Sequence, residues 1–126
     1  MGMSREILFR GKDCATRRWL YGDLRQWSET RKGICDCELR RTLEVISETV
    51  GQYTGLTAKG TKIFEGDVLL VSDTDTAIVE YDETAAMFMA VFGYTDSDYT
   101  SLCNQYQDIE IIGNIHDNPE LLGGTK

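Results

Sequence analysis

The chain has 126 residues, 41% hydrophobic and 27% charged, which is a globular composition and excludes a disordered or fibrous chain. That length fits one compact domain, or one domain with a small attachment. A net charge of -8 argues against a nonspecific nucleic-acid binder, which needs a basic surface.

In chain order the pattern is mostly period two. Ile7 and Phe9 alternate with Leu8 and Arg10 on a short first strand, followed by Gly11-Lys-Asp13 as turn material. Trp19-Leu-Tyr21 reads as a second strand closed by Gly22-Asp23, and the polar residues 25–33 read as a loop. Residues 38–50 fit either of two periods. Leu39, Leu43, Ile46 and Val50 match a helical stripe, whereas Leu43 and Val45 alternate with Thr42 and Glu44 as in a strand. Val50 to Gly55 is β-rich and ends on glycine. Thr57-Ala-Lys-Gly60 is a predicted turn, and Glu65-Gly66-Asp67 introduces a strand at Val68–Val71. Ser72–Asp75 is a turn, Ala77–Tyr81 a strand, Asp82–Thr84 a turn and Met87–Phe92 a strand. Asp96–Asp98 is a loop, Tyr99–Tyr106 a short helical turn, and Ile109–Ile112 the last strong strand, which Pro119 stops. On that strand Ile109, Ile111 and Ile115 share one parity and point inward.

Strands joined by short turns, with no amphipathic helices between them, predict an antiparallel sheet that curls or closes. The expected fold is mainly β with little helix: an N-terminal hairpin with further strands, and a small C-terminal SH3-like barrel of five strands between 63 and 115. The expected division is 1–62, holding hairpin, loop and a signature strand, and 63–126, holding the barrel, the two forming one structural unit.

Charge obeys the same division. Residues 1–62 hold twelve Lys/Arg against eight Asp/Glu, net +4; residues 63–126 hold one against thirteen, net -12. The basic residues pair at Arg17–Arg18, Arg31–Lys32 and Arg40–Arg41, which makes these six the candidate basic contacts. Three readings stand side by side: a solvated surface, mutual attraction of the halves within or between chains, and a basic strip for an acidic partner. Self-association is expected from the second. The longest near-apolar run, Ala85–Phe92, is far short of a membrane span, and the N-terminus has no apolar stretch of the secretory type. Glu6 stands where a myristoylation signal wants Ser or Thr. A cytoplasmic protein with no membrane partner is the expectation.

Catalytic and metal chemistry find little support. Cys35-Asp-Cys37 lacks the ligand spacing of a zinc site, and Cys14 and Cys103 add no second pair. His116 is the sole histidine, with Asp117 beside it, and no nucleophile elbow or phosphate loop is present. Asp73-x-Asp75 and Asp96-x-Asp98 read as turns that Asp stabilises through its own side chain. Tyr53, Tyr81, Phe88 and Tyr94 suit base stacking, but alternation places several of them inward, as core. No enzyme activity, cofactor or metal is expected.

Val50-Gly-Gln-Tyr-Thr-Gly-Leu56 and then Ile63-Phe-Glu-Gly-Asp-Val68 resemble the central signature of the YopX family. Ile111-Ile-Gly-Asn-Ile-His-Asp-Asn-Pro-Glu-Leu-Leu122 is similar to that family's closing motif, and Arg5–Arg10 with Trp19–Leu24 to its N-terminal hairpin. The turn between Leu56 and Ile63 is one residue shorter than the common pattern, and His116 replaces a usual aromatic. The resemblance implies a mostly β protein of phage or prophage origin, with no catalytic residues. Its signature positions here are Gly51, Gln52, Tyr53, Thr54, Gly55, Glu65, Gly66, Asp67, Gly113, Asn114, Asn118 and Pro119, either structural or at an interface. Two functions are the expectations: a non-enzymatic accessory protein working through contacts with an unidentified protein partner, or a nucleic-acid-associated factor using the basic N-terminal half.

Overall fold

Leu20, Ile34 and Val45, one from each of three apolar stretches in the first half of the chain, are buried together and set one face of a sheet. The computed structural model describes residues 6–71, 76–92, 99–101 and 109–121. The chain folds as two units, Met1–Gly55 and Leu56–Lys126. It is mainly β, in two antiparallel sheets, with short 3-10 turns at Ser47–Thr49 and Pro119–Leu121.

In the first unit β1 (Phe9–Lys12), β2 (Trp19–Gln26), β3 (Lys32–Asp36), β4 (Thr42–Val45) and the start of β5 (Gly51–Ala58) run in the order β4-β3-β2-β1-β5. The register Leu24↔Ile34 and Ile34↔Leu43 stacks the apolar residues on the inner face, where Phe9, Leu24, Leu43 and Val50 pack around the buried three. The sheet curls far enough for β4 to meet the end of β1. Asp13 pairs with Val45, the Cys14 N–H donates to the Glu44 carbonyl at 3.0 Å, and the Ile46 N–H donates to the Lys12 carbonyl at 2.8 Å. The Thr49 hydroxyl locks this corner. It accepts from the Lys12 N–H at 2.9 Å and donates to the Ile46 carbonyl at 2.6 Å.

Three expectations for this half are corrected. Gly11 and Lys12 belong to β1, and the turn lies beyond them at Cys14–Thr16. Gly22 does not close the second strand but lies within it, because β3 passes so close that the Cys35 carbonyl occupies the place a Cβ would take. Residues 25–33 are not one loop: Arg25 pairs with Gly33 and Gln26 with Lys32, so only a short turn separates β2 from β3. The ambiguous stretch 38–50 resolves as a turn, strand β4 and the short 3-10 turn.

In the second unit the end of β5 leads into β6 (Thr61–Phe64) and on to a five-stranded sheet: β7 (Asp67–Leu70), β8 (Thr76–Asp82), β9 (Met87–Phe92), β10 (Tyr99–Ser101) and β11 (Glu110–Asn114), ordered β10-β9-β8-β7-β11. Lys59 and Gly60, with φ of 51° and 85°, make the two-residue β5–β6 hairpin turn whose twist suits the strands. Ile63, Leu69, Val79, Ala90 and Ile109 form the core, with Leu56, Phe88, Phe92 and Ile111 packed against them. Fully burying one such Ile or Leu stabilises by roughly 1.5–3 kcal/mol. Ile111 lies opposite Leu69, on the core side that its parity predicts. A bulge between Ile111 and Gly113 inserts Ile112 as an extra residue and reverses the alternation, so the single parity drawn through Ile109, Ile111 and Ile115 fails: Gly113 lies opposite Val68, on the other face from Ile111, and Ile115 stands in the turn beyond the strand. Tyr99–Ser101 is strand rather than helical turn, paired with Met89–Val91. The Ser72–Asp75 turn, the Asp96–Asp98 loop and residues 102–106 lie outside the described residues, as does Cys103. Among the described residues no ladder joins β10 to β11, so these pairings form an open sheet.

Candidate functional site: the signature turns and the outer face of the first sheet

The second and third signature segments come together in the second unit. Glu65-Gly66 turns β6 into β7, with Gly66 at φ +94°, a region that side chains with a Cβ disfavour. The Gly66 N–H donates to the Val79 carbonyl at 2.8 Å, and its own carbonyl accepts from the Ile115 N–H at 2.9 Å. Asp67, only 2% exposed, accepts the Phe64 N–H on Oδ2 at 2.7 Å and lies opposite Asn114 in the β7–β11 ladder. The closing motif folds around two asparagines. Asn114 Oδ1 accepts the N–H groups of His116 and Asp117, both at 2.9 Å, and the Asn118 N–H donates to the Asn114 carbonyl at 2.8 Å. Asn118 Oδ1 accepts the Asn114 N–H at 3.2 Å and sits 2.5 Å from where a Cβ on Gly113 would stand. Pro119 then opens the 3-10 turn. These side chains bond to backbone groups of their own unit.

Gly51–Gly55 lies in the first unit. Gly51 and Gln52 pair with Arg10 and Phe9, and the Tyr53 N–H donates to the Leu8 carbonyl at 2.8 Å. Tyr53 is buried, Gln52 and Thr54 are half-buried, and Gly55 is exposed.

The three basic pairs lie in or beside three different turns, and β4 links them. Arg17 and Arg18 are exposed on the β1–β2 turn, which the Cys14–Glu44 backbone bond ties to β4. Arg40 and Arg41, also exposed, precede β4 on a turn that Asp36 closes by accepting the N–H groups of Glu38 and Leu39 on Oδ1, at 2.8 and 2.9 Å. Arg31 sits against Glu44 of β4, donating from Nε to Oε2 and from NH2 to Oε1, each at 3.2 Å. That hydrogen bond, more than the charge attraction, raises the Arg31 pKa, and it holds the Glu44 carboxyl below its ordinary value. Lys32 turns away, donating to the Glu29 carbonyl at 2.8 Å and to Ser47 Oγ at 2.6 Å.

Sequence reasoning missed the aromatic row that accompanies these cations. β2 shows Trp19, Tyr21, Asp23 and Arg25 on its outer face, and Trp27, on the turn that follows, lays its ring over Gly33, the cross-strand partner of Arg25. Trp19 lies under Arg10 and Lys12, whose charged ends sit 4.6 and 5.5 Å from its ring centroid. Tyr21 is 40% exposed and Trp27 51%. Carrying the odd-numbered alternation past Gly22 would have revealed this row.

Among the described residues no three of His, Cys, Asp and Glu converge on a metal-sized site, and Cys14, Cys35 and Cys37 are free thiols. No helix of the described chain is long and apolar enough to cross a membrane. No curated protein matches the chain. A family match, to the YopX protein, spans residues 8–123 and so takes in both signature turns, the closing motif and the outer face of β2: the chain belongs to the YopX family.

Proposed function

We propose that this YopX protein is a non-enzymatic phage or prophage accessory factor that works by contact, in the cytoplasm of a bacterial host, through the outer face of its N-terminal sheet. The observation that carries the reading is Trp27. It is 51% exposed, yet the turn holding it is fixed: its N–H donates to the Arg31 carbonyl at 3.0 Å, and Ser28 Oγ accepts the N–H groups of Thr30 and Arg31. A large aromatic already held in place loses little freedom on binding, and such residues anchor interfaces. The signature side chains support the same reading, since Asp67, Asn114 and Asn118 are occupied with their own backbone. The expected partner is another protein, a second copy included, because the first unit is net basic and the second strongly acidic. The open five-stranded sheet then serves as scaffold, the described part of a small SH3-like barrel. Affinity capture from infected or lysogenic cells, with and without nuclease, tests the reading. Nuclease-resistant capture of a discrete protein is expected; capture of nothing under either condition overturns it.

One observation favours a second reading, a nucleic-acid-associated factor: Arg25 and the exposed Tyr21 share one face of β2, and the exposed Trp27 lies over Gly33, the cross-strand partner of Arg25.

A further inference from the structure

We propose that the outer face of β2, from Tyr21 to Trp27, is a stacking platform for single-stranded nucleic acid. The inference rests on the second reading above and names its ligand and its residues.

Three observations carry it. The first is the platform itself. A Cβ on Gly33 would stand 2.7 Å from Cη2 of Trp27, so the indole lies directly over a backbone position without a side chain. Arg31 flanks the ring, its guanidinium 5.2 Å from the centroid, and Glu44 holds that guanidinium in place. The indole is thus seated against the sheet with half its surface open.

The second is the row. Outward residues on a strand recur every two positions, about 6.6 Å apart at the usual rise. Tyr21 and Arg25 therefore stand about 13 Å apart along β2 with Asp23 between them, and the Trp27 indole, from the turn after β2, lies over Gly33, the cross-strand partner of Arg25. Sheets with exposed aromatics stack successive bases, and cations alongside track the phosphates.

The third is charge. The first unit holds ten Lys/Arg against eight Asp/Glu, net +2, whereas the second holds three against thirteen, net -10. Of the acidic groups at the platform, Glu44 is engaged by Arg31, while Asp23 within the row and Glu29 on the Trp27 turn are exposed carboxylates. Arg17, Arg18, Arg25, Arg40 and Arg41 are exposed around the sheet. A polyanion is therefore attracted to this unit and repelled by the other. A duplex conceals its base faces, so stacking selects a single strand.

Polarisation of labelled single-stranded oligonucleotides of about 12 nucleotides, DNA and RNA, tests the inference within the range of known site sizes. The full chain is titrated at low and moderate salt, with a duplex of equal length and heparin as competitors. Binding that weakens with salt is expected, preferring the single strand over both competitors. Trp27→Ala should weaken it about tenfold, the usual effect of removing one stacking partner. Arg25→Glu should weaken it and reduce the salt dependence. Stacking should also quench indole emission in the wild type, and Trp27→Phe should lose that quenching while Trp19 still emits. Absence of binding, equal competition by heparin, or a Trp27→Ala protein that binds like wild type would each overturn the inference. A protein captured through Trp27 while oligonucleotides fail to bind would refute the single-strand ligand and leave the contact reading standing. Failure of both would remove both.

Discussion

Replacing Asp67 with Ala tests whether the Glu-Gly-Asp signature shapes the chain. Asp67 and Phe64 are 2% and 3% exposed, and Oδ2 accepts the Phe64 N–H at 2.7 Å. Truncation removes the acceptor of this buried hydrogen bond, which costs roughly 1–3 kcal/mol. We expect a net loss of about 2 kcal/mol. For a chain of this length each kcal/mol lowers the midpoint by about 4 °C, giving a fall of about 8 °C. Asp67→Asn keeps an acceptor oxygen and should lose about half as much. Gly66→Ala should cost roughly 1–2 kcal/mol, because φ at +94° strains any residue with a Cβ. Thermal unfolding monitored by circular dichroism, supported by urea titration, measures all three. If Asp67→Ala keeps the wild-type midpoint within about 2 °C, the structural reading of the signature is wrong.

The remaining predictions concern β11, a surface ion pair and assembly. Ile111→Asp places an unpaired charge against the core and should abolish cooperative unfolding, whereas Glu110→Lys loses only an exposed 3.9 Å pair with Lys59 and should stay near the wild-type midpoint; similar midpoints for the two would refute the register of β11. Glu44 has its pKa lowered in the folded chain by Arg31, so its contribution is fully present above the ordinary glutamate value of 4.5 and is lost as pH falls through the lowered one. Acid titration of the Glu44 carboxyl by NMR should show the depressed midpoint and its return towards ordinary in Arg31→Ala; an unchanged midpoint contradicts the pairing. Light scattering should show an oligomer in moderate salt that high salt only partly loosens, since salt screens charge but leaves apolar contact intact; a monomer at both salt concentrations refutes self-association.

The second unit was the more legible half, and the reason is physical. Its strands at Val68, Ala77 and Met87 are apolar runs bounded by Asp-rich or Gly-rich turns, where composition and backbone conformation agree. In the first unit glycine has another use. A Cβ on Gly11 would stand only 3.1 Å from the Val45 side chain, and Gly22 and Gly33 sit where another backbone or an indole presses close. Read as turn punctuation, they shortened β1 and β2 and concealed β3. The bulge at Ile112 was hidden for a similar reason, because a single inserted residue leaves composition unchanged and shifts only parity. Asp67, Asn118 and Pro119 were legible as backbone-shaping residues, since Asp, Asn and Pro have local uses at turns. Their meeting through Gly66 and Ile115 was not, because it depends on strand order. The Trp27 platform depends on a cross-strand glycine in the same way.

The central claim is that the protein works by contact through the outer face of its N-terminal sheet. The most direct measurement is parallel affinity capture from infected or lysogenic cells with three tagged proteins: wild type, Trp27→Ala and Glu110→Lys. Trp27 is exposed on the first unit and Glu110 on the second, so neither change disturbs a core. The account predicts that wild type and Glu110→Lys retain the same co-purifying material and that Trp27→Ala loses most of it. Equal recovery by wild type and Trp27→Ala would contradict the claim.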